Sequence, residues 1–287
     1  VGGNQLVRGA KGSAMTEIID KPLVIRADAN TRIGTGHLMR CLALAQGWKD
    51  SGGQVIFITA CSNEPLLQRL YDEGFVVHRL EHPYPDPQDW EMTKQLLSEH
   101  LGAWLVLDGY HFDSEYQWLV KEAGYRFLVI DDMAHLPHYY ADIVVNQNLH
   151  AEQLHYPCEP YTQLLLGTQY VLLRREFLKG QGWKREIPEV ARKVLVTLGG
   201  SDPDNVTLKV IRAINKLKIK GLEIKVVIGP SNPHMASLKE AIHHSPLTVC
   251  KKHARIDGLG GCGGIGGREY LLGVDLYGIT QPDPCGS

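Results

Sequence analysis

Short runs rich in β-branched and apolar residues alternate with segments of helical periodicity over the first half of the chain. Residues 23–26 (LVIR), Val55–Thr59 (VIFIT), 75–80, Trp104–Asp108 (WLVLD), 127–131 (FLVID) and Ile143–Asn146 (IVVN) read as strands. Between them, residues 38–49, 64–73, 88–101 and 114–123 carry apolar positions at three- and four-residue spacing, the period of helices packed on one side. Gly74 and Gly124 mark helix stops, and the PYPDP stretch opens the segment at 88. Continuous apolar strands separated by such helices predict a parallel sheet covered on both faces.

A polar, loop-rich stretch from 149 to 163 follows, then YVLLRREF at 170–177, then a charged linker at 179–192. The shift in composition there places a domain boundary near residue 180. A second β/α run starts at 193–198 (KVLVTL), turns at Gly199-Gly200-Ser201-Asp202, and continues with a helix at 204–218, a strand at Glu223–Ile228, a helix at 235–243 and a strand at 247–250. The expected organisation is an extension at 1–14 ahead of a natural start at Met15, an N-terminal Rossmann-like domain at 15–180, a partial C-terminal domain at 190–252 and an atypical tail at 253–287. In the tail, GLGGCGGIGG has neither period, and such runs have few side chains to bury and lose much entropy on ordering, so it reads as disordered or out of frame.

Composition narrows the function classes. The 287 residues carry 30 Lys and Arg against 32 Asp and Glu, a net charge of −2, so no basic field exists for a nucleic-acid backbone. Hydrophobic residues make up 44%, enough for a real core, and no apolar run approaches the length of a membrane span. The six cysteines, at 41, 61, 158, 250, 262 and 285, show no C-x-x-C spacing. Reduced thiols and a cytoplasmic location are expected, without structural zinc.

The chemistry concentrates where the first strand gives way to the first helix. Arg26-Ala27-Asp28 is followed by Ile33-Gly34-Thr35-Gly36-His37-Leu38-Met39-Arg40-Cys41. Gly34 and Gly36 admit a ligand close to the backbone, and a helix N-terminus favours anionic groups. Met39 stands where a dinucleotide fingerprint has its third glycine. His37 adds a titratable base, suited to taking a proton from water beside a bound diphosphate. It reads equally as a residue that caps or packs at a helix start.

Asp108, Asp131 with Asp132, and Asn146 end three strands on one sheet edge, where a cleft would collect them. They read otherwise as caps of the following helices. Tyr110 either reaches into that cleft or packs on the sheet. Asp131, Asp132, His135 and His138 mimic a metal cluster, but Pro137 works against the helix that H-x-x-H needs, and no metal is expected. His243-His244 reads as a solvated helix end. The Gly199–Gly200 pair opens amides toward a phosphate or makes a bare tight turn. Ser62 and Ser201 lack the G-x-S-x-G elbow of a serine hydrolase.

RADANTRIGTGHLMRC, LVLDGY, IDD, ADIVVNQN, YVLLRREF, TLGGSDPDN and GPSNPH occur in the order of one family. Over residues 22–252 the chain resembles the UDP-2,4-diacetamido-2,4,6-trideoxy-β-L-altropyranose hydrolases of pseudaminic acid biosynthesis, which serves flagellin glycosylation. That family is related to the spore-coat polysaccharide group and the peptidoglycan N-acetylglucosaminyltransferase. The resemblance implies an α/β, GT-B-like fold of two Rossmann-like domains facing across a cleft, the second incomplete here. It implies hydrolysis of a UDP-sugar, with inversion, to UDP and free sugar, with no cofactor. His37 and Tyr110 match its catalytic residues. Gly34, Gly36, Arg40, Asp108, Asn148 and Arg174 fall at expected substrate contacts, and Gly199, Gly200 and Ser201 near the diphosphate. The partner implied is the UDP-sugar alone, with neither nucleic acid nor membrane; the oligomeric state is not implied.

The chain departs from the family after the SNP element, where a block carrying a uridine-holding Glu gives way to the Gly-rich tail. Glu269 lies in a non-matching context and receives no role. The competing expectations are a glycosyltransferase of the same fold and a truncated, non-catalytic nucleotide-sugar-binding remnant.

Overall fold

A computed structural model describes residues 21–30, 33–178, 180, 182, 184, 189–190, 192–198, 202–217, 222–229, 232–242, 248–251 and 270–271. The chain divides into two compact units, Val1–Asn30 with Gly36–Gln181, and Thr31–Thr35 with Gly182–Ser287.

The first unit holds strands β1 (Leu23–Ala27), β2 (Val55–Thr59), β3 (Val76–Arg79), β4 (Trp104–Asp108), β5 (Arg126–Ile130), β6 (Ile143–Asn146) and β7 (Gln163–Leu166). Helices α1 (Gly36–Asp50), α2 (Glu64–Asp72), α3 (Pro87–Glu99) and α4 (Ser114–Glu122) alternate with the early strands, and a single turn, α5 (Arg175–Leu178), follows β7. The sheet order is β3-β2-β1-β4-β5-β6-β7, and every neighbouring pair is parallel. Successive strand residues point to opposite faces, and both are apolar. Val24, Leu105, Leu107 and Phe127 pack with Tyr116 and Val120 of α4, while Ile25, Phe57 and Val106 pack with Leu38 and Leu42 of α1 and Leu67 of α2.

The helix ends follow from local chemistry. Asn63, Asp86 and Asp113 are the N-caps of α2, α3 and α4, each side chain accepting a backbone N–H of its own helix. Such a cap contributes about 1 kcal/mol. Gly74 ends α2 at φ +74°, its N–H donating to Tyr71 O at 2.8 Å. The strands and helices expected from the pattern are present with ends shifted by one or two residues in this unit. The exception is β7, a strand not expected, which begins where the loop-rich stretch of 149 to 163 ends. It is an edge strand of four residues with Gln163 and Leu164 exposed, so the two-faced apolar pattern of a central strand is absent.

The second unit holds β8 (Lys193–Thr197), β9 (Glu223–Ile228), β10 (Thr248–Lys251) and β11 (Tyr270–Leu271) in the order β10-β9-β8-β11, all parallel. Helices α6 (Val206–Ile214) and α7 (Met235–Ile242) supply Ile211 and Leu238 to a small core with Val196, Ile224, Val226 and Ile228. The two-residue β11 lies in the tail, where the pattern had suggested no strand. Both units are therefore α/β with parallel Rossmann-like sheets, the fold class expected.

In the first unit, chain order reverses at β1. The chain runs outward from β1 to β3, then returns to place β4 on the other side of β1. Loops diverge at such a switch point and leave a crevice beyond the carboxyl ends of the two strands, where open α/β sheets bind ligands. Ala27 and Asp108 are paired there, at the ends of β1 and β4.

Candidate active site

The start of α1 and the end of β4 bring His37, Arg40, Cys41 and Asp108 together. His37, Arg40 and Cys41 stand three and four residues apart on α1, so they share the helix face turned to Asp108. The carboxylate is enclosed by donors. Arg40 Nε donates to Oδ2 and Nη2 to Oδ1, both at 2.6 Å, in a bidentate fork. The Cys41 thiol donates to Oδ2 at 3.4 Å, and His37 Nδ1 lies 2.6 Å from Oδ1. Burial alone pushes the Asp108 carboxyl up, but the hydrogen bonds from Arg40 and His37 outweigh it and hold it below the ordinary carboxylate range.

An anionic Asp108 at 2.6 Å assigns the proton of a neutral His37 to Nδ1 and leaves the lone pair on Nε2. The Arg40 guanidinium lies 3.2 Å from the same Nδ1, but with the ring proton already directed at Asp108 that approach is a packing contact. The His37 side chain is 8% exposed, and its surroundings are polar: a carboxylate, a guanidinium and a phenol. The Tyr110 ring packs edge-on against His37 at 4.7 Å and 84° between planes. Tyr110 is 41% exposed, and its hydroxyl donates to Asp132 Oδ1 at 2.5 Å. Asp132 also accepts from Arg40 Nη1 at 3.0 Å, which closes a ring of contacts through Asp108, Arg40, Asp132, Tyr110 and His37.

The competing readings of the strand-end acids separate here. Asp108 caps no helix; the cap of α4 is Asp113, five residues later. Asp131 accepts from the amides of Met133 and Ala134 at 2.7 and 3.1 Å and so shapes its own loop. Asn146 holds the Asn148 amide at 2.9 Å and donates to Tyr156 at 2.9 Å. Asn148 is exposed beyond the end of β6, on the same sheet edge as Asp108. Gly34 is left-handed at φ +81°, and open space surrounds the position of a Cβ at both Gly34 and Gly36.

Two of the expected contact residues have partners within the chain. Arg40 was expected to meet substrate; its guanidinium is engaged here by Asp108, Asp132 and the Ile130 carbonyl. Arg174 is not brought to His37. Its Nε donates to Glu176 at 2.8 Å, and Glu176 accepts from Arg69 in the last turn of α2 at 3.3 Å. The neighbouring Arg175 amide donates to Gln46, about 13 Å along α1 from His37 and toward the opposite sheet edge. His138 meets Glu159 at 3.1 Å while His135 meets Asp131 at 3.0 Å, so the H-x-x-H pair does not converge.

Gly199, Gly200 and Ser201, like His243, His244 and Glu269, lie outside the described residues. Asp202, next to the glycine turn, accepts from the amides of Val206 and Thr207 at 2.8 and 3.0 Å and so occupies the N-terminus of α6. Asp132, named from the sequence with Asp131 as one of the strand-end acids, is the member of that doublet that joins the ring around Asp108.

No protein-family model matches the chain. Among proteins of known sequence, it is 26% identical over 267 residues to an uncharacterized protein of Methanocaldococcus jannaschii, covering 91% of this chain and 51% of that one. It is 29% identical over 245 residues to the Campylobacter jejuni UDP-2,4-diacetamido-2,4,6-trideoxy-beta-L-altropyranose hydrolase, covering 82% of this chain and 79% of the relative. The chain thus spans about half the length of the first relative and most of the second. Among solved structures, Anabaena HepE in complex with UDP-glucose superposes with a TM-score of 0.50 at 9% identity, covering 80% of this chain and 69% of that one. The sequence similarities establish distant homology, and the structural likeness shows the fold.

Proposed function

We propose that the chain hydrolyses the sugar–phosphate bond of a UDP-2,4-diacetamido-trideoxyhexose, releasing UDP and the free sugar with inversion at the anomeric carbon. The observation that carries this reading is the 2.6 Å contact between His37 Nδ1 and a carboxylate held anionic by Arg40, which leaves Nε2 as a directed base. The activity of the Campylobacter relative supplies the substrate class.

In the proposed step a water oxygen attacks the anomeric carbon as the bond to the diphosphate oxygen breaks, and that electron pair departs on UDP. The water proton passes to His37 Nε2, and Asp108 stabilises the resulting imidazolium through Nδ1–H. Arg40 and Cys41 keep Asp108 in place, and Tyr110 limits the tilt of the imidazole. UDP is a competent leaving group, so positioning water and placing charge are the main tasks. Gly34 and Gly36 leave room for substrate to approach the backbone ahead of α1.

The test is UDP release from the UDP-sugar by the full chain. Release without any acceptor, lost in His37→Ala, supports the hydrolase. Release only when an acceptor hydroxyl is added points to a transferase, and UDP binding without turnover points to a non-catalytic remnant.

A further inference from the structure

Tyr110 packs against two imidazoles. One is His37; the other is His135, whose ring meets the tyrosine ring edge-on at 5.6 Å and 89° between planes. His135 follows the turn after β5, in which Ala134 adopts a left-handed φ of +50°. L-residues avoid that conformation, and here it carries the chain back toward Tyr110. Both nitrogens of the His135 ring face acceptors: Nδ1 lies 3.0 Å from Asp131 Oδ2, and Nε2 lies 3.3 Å from the Tyr110 carbonyl oxygen. A neutral imidazole has one proton and would turn a lone pair toward one of those oxygens, whereas an imidazolium satisfies both. Asp131 is itself immobilised by the amides of Met133 and Ala134 and by the Tyr139 hydroxyl.

We propose that His135 is a positioning residue, an imidazolium tie that anchors the Tyr110 backbone to Asp131 and so sets the phenol against His37. The titratable and charged groups around its ring are Asp131, Asp132, Tyr110 and Tyr139, with Arg40 beyond Asp132. The hydrogen bond to Asp131 outweighs burial and raises the His135 pKa above the ordinary imidazole value. The tie is therefore complete below the ordinary imidazole range and is released as pH rises through that raised value. The catalytic consequence rests on the hydrolase reading above; the protonation and anchoring of the ring do not.

The test joins two measurements on the full chain. Imidazole proton–nitrogen NMR of the ligand-free protein should show His135 keeping both ring protons to a pH above the ordinary imidazole value, and Asp131→Asn should lower the titration. UDP release from the UDP-2,4-diacetamido sugar should fall about tenfold in kcat for His135→Leu with KM little changed, because the reacting geometry loosens while substrate contacts remain. His135→Gln, which keeps a neutral donor, should recover part of the rate and lose the alkaline decline of the wild type. A ring that loses its second proton at or below the ordinary imidazole value overturns the proposal, as does an unchanged kcat in His135→Leu. If His135→Leu does not fold, the wild-type spectra and His135→Gln decide the matter. A wild type without UDP release would defeat the hydrolase reading and leave the NMR result to decide the tie.

Discussion

Two clusters of the first unit are built from the same five side chains: one arginine, two aspartates, one histidine and one tyrosine. In the first, Arg26 grips Asp28 and Asp89 with contacts as short as 2.6 Å, Tyr116 donates to Asp89 at 2.9 Å, and His111 Nε2 lies 3.0 Å from Asp28. In the second, Arg40 grips Asp108 and Asp132, Tyr110 donates to Asp132, and His37 meets Asp108. They differ in access and in the nitrogen presented. Arg26, Asp28, Asp89 and Tyr116 are all 0% exposed and only the His111 side chain, at 21%, reaches the surface, whereas Asp132 is 20% and Tyr110 41% exposed. His111 brings Nε2 within 3.0 Å of its carboxylate without hydrogen-bond alignment, while His37 holds Nδ1 at 2.6 Å and keeps Nε2 at the far end of the ring. Similar chemistry thus makes a structural clasp where the arginine, carboxylates and phenol are sealed and a candidate catalytic group where an imidazole is aligned on an anchored carboxylate beside an exposed phenol.

The sharpest way to break this comparison is to remove the arginines. Arg26→Met leaves two buried carboxylates without their cation and should cost about 3–5 kcal/mol in urea unfolding. Arg40→Met should cost less, because Asp132 reaches solvent. Equal losses would show that exposure does not distinguish the clusters.

The histidines sharpen the comparison from the side of activity. His37→Ala should lower UDP release by about a hundredfold to a thousandfold, the scale of a lost general base. His111→Ala should leave the rate of the folded protein unchanged and register in stability alone. A rate loss in His111→Ala matching that of His37→Ala would remove the distinction drawn from the ring nitrogens.

Much of the second cluster was legible in the sequence, and almost none of the first. His37 and Arg40 fall within one turn of a helix after a glycine pair, and Asp108 ends an apolar strand, so local pattern and the rule for parallel sheets bring them to one edge. Asp89 lies 63 residues from Arg26, within an ordinary amphipathic helix, and nothing local marks it as the partner of a buried guanidinium. His135 was visible only as half of an H-x-x-H pair, because its work depends on the left-handed turn at Ala134. The strand β7 escaped because an edge strand needs no second apolar face. The surroundings of Arg174 were hidden for a related reason: a motif orders residues along the chain, while the return of the chain after β7 decides which sheet edge they meet.

Acid should act on both clusters alike, and more gently. Burial pushes the Asp28 carboxyl up, but contacts from His111 and Arg26 hold it well below the ordinary range, and Asp108 is also held down. A depressed carboxylate contributes stability that is complete above its unfolded value and is lost as pH falls through its folded value. Both contributions should therefore fade below about pH 4. Asp28→Asn and Asp108→Asn should each flatten the fall in urea-derived stability between neutral pH and the acid limb. A slope unchanged in both variants would show that neither carboxylate is linked to folding.

The smallest effects test the glycines ahead of α1, where space and conformation can be told apart. An added Cβ meets nothing within 4 Å at either Gly34 or Gly36, so neither substitution introduces a clash within the chain. Gly34 alone is left-handed, at φ +81°, a conformation that costs an alanine about 1–2 kcal/mol. Gly36 begins the helix, where alanine is tolerated and improves propensity. Gly34→Ala should lower the unfolding free energy by about 1 kcal/mol. Gly36→Ala should leave stability within about 0.5 kcal/mol of the parent and raise KM if that open space admits substrate. A Gly36→Ala protein with unchanged KM would make the glycine a matter of helix entry and remove it from the candidate site.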